Sequence, residues 1–172
     1  LLPSPPAGTY RSCLCRAWKA ARGWLLRESI CLHGESIIMI RKLQKVDLNE
    51  VADIWLKTNR KAHFFISDQY WISNYEFVKE MLPQAEVFVY EKDKRIQGFV
   101  GVRDEYIEGI FVADEMQSQG IGKKLLDYIK AEKIRLQLNV YQKNIRAISF
   151  YQREGFIIQC EKMTNSLVKR NM

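Results

Sequence analysis

The chain contains no apolar run near the roughly 20 residues that a bilayer-spanning helix needs; runs such as Ile37-Ile38-Met39-Ile40 end within a turn. A transmembrane helix is therefore not expected. Histidine is nearly absent: His33 and His63 stand apart, and the four cysteines Cys13, Cys15, Cys31 and Cys160 form no Cys-x-x-Cys pair. Zinc spacing is lacking, because Cys13-Leu14-Cys15 is too tight, and no metal is expected. So few cysteines, unevenly spread, imply no disulfide framework and a reducing compartment, so a cytoplasmic protein is expected. Arginines interrupt the apolar stretches near the N-terminus, which argues against a secretory signal. Two phosphate-binding motifs are also missing. No third glycine follows Gly120 and Gly122 at the spacing of a dinucleotide fingerprint, and no Gly-Lys-Ser/Thr of a P-loop occurs, since Lys123 and Lys124 follow Gly122.

What is present suits one domain: 172 residues, 47% of them apolar, enough to bury a core. The formal net charge of +7 fits an anionic ligand or nucleic acid. Lys and Arg are scattered among acids along the chain, which argues against nucleic acid as the partner.

Residues 1–35 differ from the rest, with three of the four prolines in the first six positions and five Lys or Arg between Arg11 and Arg27. A basic amphipathic helix over about 12–30 is one reading. The plainer one is upstream translation or a disordered extension, so residues 1–38 are expected to lie outside the domain and 39–172 to form it.

From Ile37 the periodicities are orderly. A strand over 37–41 leads to Asp47-Leu48-Asn49-Glu50, a capping box opening a helix that buries Leu48, Val51 and Trp55. A second helix carries Trp71, Tyr75, Val78 and Leu82 until Pro83; Tyr70, Trp71 and Tyr75 read as core before they read as a substrate cage. The runs 86–91 and 95–103, joined by Lys92-Asp93-Lys94, form a hairpin, and Tyr106–Val112 a third strand. A helix burying Ile121, Leu125, Leu126 and Ile129 follows. Leu136, Leu138 and Val140 then alternate as a strand parallel to 106–112. The last helix runs from the cap Asn144 to Gly155, before a strand over 156–160.

Between the third strand and its helix stands Gln117-Ser118-Gln119-Gly120-Ile121-Gly122-Lys123-Lys124. Two glycines there permit positive φ and close approach of a ligand, while the opening turn offers unpartnered N–H groups and the dipole's positive end, an anion site. Alone, such glycines more often just turn a chain than bind phosphate. In its context, however, Gln-x-x-Gly-x-Gly after Ile110-Phe111-Val112 resembles the pyrophosphate loop of the GNAT superfamily of N-acetyltransferases. A second stretch, Asn144-Ile145-Arg146-Ala147-Ile148-Ser149-Phe150-Tyr151 with Gly155-Phe156 behind it, resembles that family's Asn-x-x-Ala-x-x-Phe-Tyr hallmark. The order of elements from Met39 to about Cys160 is similar to a GNAT domain, and the Val140–Asn144 and Phe150-Tyr151 stretches to its small bacterial YiaC-like members, a group linked to protein lysine acetylation.

The resemblance implies an α/β (α+β) fold with a mixed central sheet flanked by helices. It also implies acetyl-CoA as co-substrate and direct acetyl transfer to a primary amine, of a small molecule or of a protein lysine or N-terminus, by a monomer or homodimer. Backbone groups of Ile110, Phe111 and Val112 would meet the pantetheine and acetyl carbonyl. Gln117 and the backbone of Gln119, Gly120, Ile121, Gly122 and Lys123, with Lys123 or Lys124 nearby, would hold the pyrophosphate. Asn144 would touch the CoA arm, and is also a helix cap by position. Tyr151, by pattern alone a core tyrosine, would protonate the departing sulfur. Glu108 stands where many family members carry the base, although a glutamate there could equally be solvated. Residues 161–172 are short and polar, without the closing strand the family usually adds. Two rival readings are a toxin-type aminoacyl-tRNA acetyltransferase and a non-catalytic module that senses acetyl-CoA or grips nucleic acid.

Overall fold

The computed structural model describes residues 9–17, 31–33 and 36–164. Its strands are β1 (Thr9–Ala17), β2 (Cys31–His33), β3 (Ser36–Lys42), β4 (Glu86–Lys92), β5 (Arg95–Arg103), β6 (Tyr106–Val112), β7 (Arg135–Tyr141) and β8 (Ile157–Thr164). The helices are α1 (Leu48–Ala62), α2 (Asp68–Ser73), α3 (Tyr75–Met81), α4 (Ile121–Glu132) and α5 (Ile145–Arg153). The strands form one sheet in the order β2-β3-β4-β5-β6-β7-β1-β8. Every pairing is antiparallel except β6 with β7. No helix of the described residues is long and apolar enough to cross a membrane.

The sheet separates two apolar layers. One gathers Ile121, Leu125, Leu126 and Ile129 of α4 with Leu136, Leu138, Val140, Tyr151 and Phe156; the other gathers Val51, Ile54 and Trp55 of α1 with Trp71, Val78 and Phe99. The spacing within α4 and α1 accounts for this directly, since residues three and four apart share a helix face. At the β4–β5 turn, Asp93 and Lys94 both have positive φ, 51° and 63°, the geometry a two-residue hairpin of this twist requires.

Three expectations change. The second helix is broken at Asn74 into α2 and α3, where the Asn74 side-chain amide donates to the Tyr70 carbonyl at 2.7 Å. Asp47 does not cap α1 with its side chain. The Arg41 guanidinium donates to both its oxygens, at 2.6 and 3.0 Å, and the Gln44 N–H to one of them at 2.7 Å. Burial favours protonation of Asp47, but these hydrogen bonds outweigh it and hold its carboxyl below the usual range.

The third change concerns residues 1–38. Thr9–Ala17, expected outside the domain and read in one alternative as the start of a helix, is a strand lying antiparallel between β7 and β8. Ser12, Leu14 and Cys15 are buried and Cys13 between them is half-buried, as suits a strand with neighbours on both edges. Residues 18–30 of the alternative helix lie outside the described residues. The final strand runs on to Thr164, further than Cys160, and the polar tail beyond it lies outside the described residues.

Leu14 reports on whether β1 belongs to the core. Leu14→Ala should lower stability by about 2–5 kcal/mol, the range for emptying a buried leucine site. An unchanged denaturant midpoint would restore the domain boundary near Met39.

Candidate active site

Helix α4 starts where the chain turns through left-handed backbone. Gly120 is its N-cap with φ 81°, Ser118 has φ 64°, and no atom lies within 4 Å of where a Gly120 Cβ would stand. Lys124 N–H donates to the Gly120 carbonyl at 3.0 Å, so the intrahelical ladder begins there. The N–H groups of the turn before it point forward into open space, beside the positive end of the helix dipole. A backbone cradle for an anion results, and glycine at 120 is what leaves it open.

The loop before the cradle is braced. The Gln117 amide donates to the Val112 carbonyl and to Asp114 Oδ1, both at 3.0 Å, while Arg146 of α5 donates to Gln117 Oε1 and, at 3.2 Å, to Ser118 Oγ. The first residue of the motif therefore holds the loop's shape and lines the pocket as well. Arg146 was not singled out from the sequence, although it stands two residues after Asn144 in the second hallmark.

Strand β6 explains the pocket itself. Glu108 and Gly109 together oppose Gly101 of β5, a bulge that shifts the side-chain phase, so Ile107 and Ile110 both face the α4 layer while Phe111 faces α1. A Cβ at Gly109 would stand 2.5 Å from the Phe111 ring, which itself stacks on Phe99 at 4.8 Å. Beyond the bulge β6 leaves its parallel neighbour, and a single register pair, Tyr106 with Gln137, joins β6 to β7. The backbone edge of Ile110–Val112 then faces a cavity of about 860 Å³, not a strand.

That cavity collects Ile110, Phe111, Val112, Gln117, Gly120, Ile121, Gly122, Lys123, Asn144 and Tyr151. Five basic side chains line it (Lys61, Lys123, Lys143, Arg146, Arg153) against two acids, Asp114 and Glu154, a balance that suits an anionic ligand. Asn144 accepts from Ala147 N–H at 3.1 Å as the α5 cap, so the cap and the wall position coincide. Tyr151 is buried between Phe150 and Phe156. Burial, and more weakly Tyr106, push its phenol well above the ordinary value, so it keeps its proton at neutral pH.

Three expected residues do not bring their side chains into the wall. Gln119 turns its amide back to the Glu115 carbonyl at 3.2 Å. The Lys124 ammonium lies 5.5 Å from the centre of the Tyr90 ring and 3.5 Å from its hydroxyl, so of these two neighbours Lys123 is the one on the pocket wall. Glu108 pairs with Arg103 at 2.9 Å and is not among the lining residues. One lining residue was set aside by its isolation in sequence: His63, which follows α1 and touches Asn144 across 81 positions.

A family model described as Acetyltransferase (GNAT) domain matches residues 83–158. The peptidyl-lysine N-acetyltransferase YiaC of Escherichia coli (strain K12) is 37% identical over 125 residues, 71% of this chain and 86% of that protein. The chain belongs to the GNAT acetyltransferases. It is an N-acetyltransferase with acetyl-CoA as donor, and the cradle and basic lining fit that donor. Solved GNAT structures share the fold. Apo YjaB from Escherichia coli has a TM-score of 0.69 at 24% identity, covering 77% of this chain and 90% of its own. The PaiA N-acetyltransferase of Thermoplasma acidophilum, solved with coenzyme A, has a TM-score of 0.64 at 23% identity, covering 74% and 99%.

A Cβ at Gly122 would meet only Phe150 and Ile110, at 3.6 Å or more, so the fold has room for it while the pocket loses that space. Gly122→Val should therefore weaken CoA binding at least tenfold, about 1.4 kcal/mol, with an almost unchanged melting temperature. Gly120→Val should weaken binding as well and also melt earlier, because a β-branched residue resists positive φ. Calorimetry showing parental CoA affinity in both folded variants would refute the cradle.

Proposed function

We propose that this enzyme acetylates the ε-amine of protein lysines by direct transfer within a ternary complex. The convergence of three features on one cavity carries the chemistry: the Gly120 cradle, the unpaired edge of β6 and the buried phenol of Tyr151. The choice of lysine is supported by the likeness to a peptidyl-lysine acetyltransferase that is 37% identical over most of its length.

In this reading the N–H groups of 119–123, with Lys123, hold the pyrophosphate. The backbone edge of Ile110–Val112 pairs with the pantetheine amides as a neighbouring strand would, and one of its N–H groups polarises the thioester carbonyl. The amine attacks that carbonyl carbon, and the carbon–sulfur electron pair leaves on sulfur. Tyr151 supplies the proton that sulfur takes up; burial keeps the phenol protonated, so it enters the step holding the proton it gives. The reading includes a monomer or homodimer working in the cytoplasm, supported by cysteine spacing without a disulfide framework.

Incubation with acetyl-CoA and a panel of lysine peptides, N-terminal peptides, polyamines and aminoacyl-tRNA, read by mass spectrometry, tests the acceptor. Acetylated lysine peptides are expected; turnover confined to another member of the panel would overturn the choice. Tyr151→Phe keeps the ring and should lower kcat about 10²- to 10⁴-fold while leaving acetyl-CoA affinity nearly unchanged. A variant that melts earlier but turns over at the parental rate would make Tyr151 a structural residue. With its proton retained, the parent's kcat should show no loss attributable to Tyr151 ionisation below about pH 10, the ordinary tyrosine value.

A further inference from the structure

The ammonium form of a lysine must lose a proton before it can attack, and the acids of the cavity are engaged elsewhere. Asp114 pairs with Lys61 at 3.2 Å, and Glu154 with Lys130 at 3.2 Å and Lys123 at 3.6 Å. Glu108 is outside the lining. His63 stands in the wall, its ring stacked on Trp71 at 5.3 Å and met edge-on by Tyr141 at 4.8 Å and Phe65 at 5.8 Å.

The state of this imidazole follows from a helix cap. Asn144 Oδ1 accepts the Ala147 N–H, which fixes the amide so that Nδ2, a donor only, faces His63 Nε2 at 3.3 Å. Two N–H groups cannot point at each other favourably at that distance. In this contact Nε2 takes the acceptor's part, which places the ring proton on Nδ1. An imidazolium would lose the Asn144 contact, so uptake of a proton at Nε2 requires that contact to open. The surrounding rings also suit an incoming cation, as Lys143 over Phe65 at 5.4 Å already illustrates.

We propose, resting on the acetyl-transfer reading, that His63 Nε2 is the proton acceptor for the substrate ammonium. The N–H electron pair stays on the amine nitrogen as its proton passes to Nε2, and that pair forms the bond to the thioester carbon. As the carbon–sulfur bond breaks, Tyr151 gives its proton to sulfur, and the second proton leaving nitrogen restores the Tyr151 phenol. Amide, thiol and one proton result, the last released to solvent from His63. The charged groups around this wall are the Lys61–Asp114 pair, Lys143, and Arg146, which is held by Gln117 and Ser118.

His63→Gln can still meet Asn144 but cannot take up a proton. Its kcat/KM for a lysine peptide should fall about 10²- to 10³-fold near pH 7 and recover toward the parent as pH approaches about 10, where the amine is already neutral. CoA affinity should be unchanged, and Glu108→Gln should stay within a few-fold of the parent. A pH-independent loss in His63→Gln, or a large pH-dependent loss in Glu108→Gln, would overturn the assignment. The tautomer is read without turnover from the imidazole ¹⁵N spectrum of the parent protein: an unprotonated Nε2 at neutral pH supports the proposal, and a protonated Nε2 overturns it. A parent that acetylates no lysine peptide refutes the lysine reading instead, so the two failures are distinguishable.

Discussion

The parting of β6 from β7 is the constraint on which this molecule depends. Two parallel strands joined by one register pair leave a length of backbone without a neighbour inside an otherwise complete sheet. Such an edge is costly when buried and dry, and here it lines a cavity that a ligand with amides of its own can enter. The bulge at Glu108-Gly109 separates the strands, and Gly109 is needed there because the Phe111 ring occupies the space of a Cβ. The same shift turns Ile110 toward α4 and Phe111 toward α1, fixing the slot between the two apolar layers.

Because the slot is a seam, its chemistry comes from both sides. Helix α4 brings the cradle, α5 brings Tyr151 and Arg146, and the end of α1 brings His63. Asn144 joins the groups: one side-chain atom caps α5, the other orients an imidazole beyond the seam. A cap worth about 1 kcal/mol to a helix thus also reaches across to a ring of the pocket wall.

Much of this was legible because it is local. The α4 stripe of Ile121, Leu125, Leu126 and Ile129 follows from spacing, and the β7 alternation from Leu136, Leu138 and Val140. The glycine loop and the second hallmark found the cavity, including Gly120, Asn144 and Tyr151. What escaped depends on distance or on angle. Which of two neighbouring lysines lines the cavity is a matter of about 100° around a helix, and Lys124 turned inward to Tyr90. The capping box lost Asp47 to Arg41, a partner on another element. His63 looked solitary because Asn144 is 81 residues away, and β1 was obscured by basic neighbours and by partners at the other end of the chain.

The place of β1 has a consequence for how the protein is made. Thr9–Ala17 leaves the ribosome before every other described strand, yet among these it pairs only with β7 and β8, roughly 120 to 155 residues later. At about 5–20 residues per second, that is on the order of 6–30 s of translation during which its apolar side has no partner from its own sheet. The first of the described strands to be synthesised is therefore among the last to dock, and a nascent chain stalled before β8 would hold β1 against β7 alone.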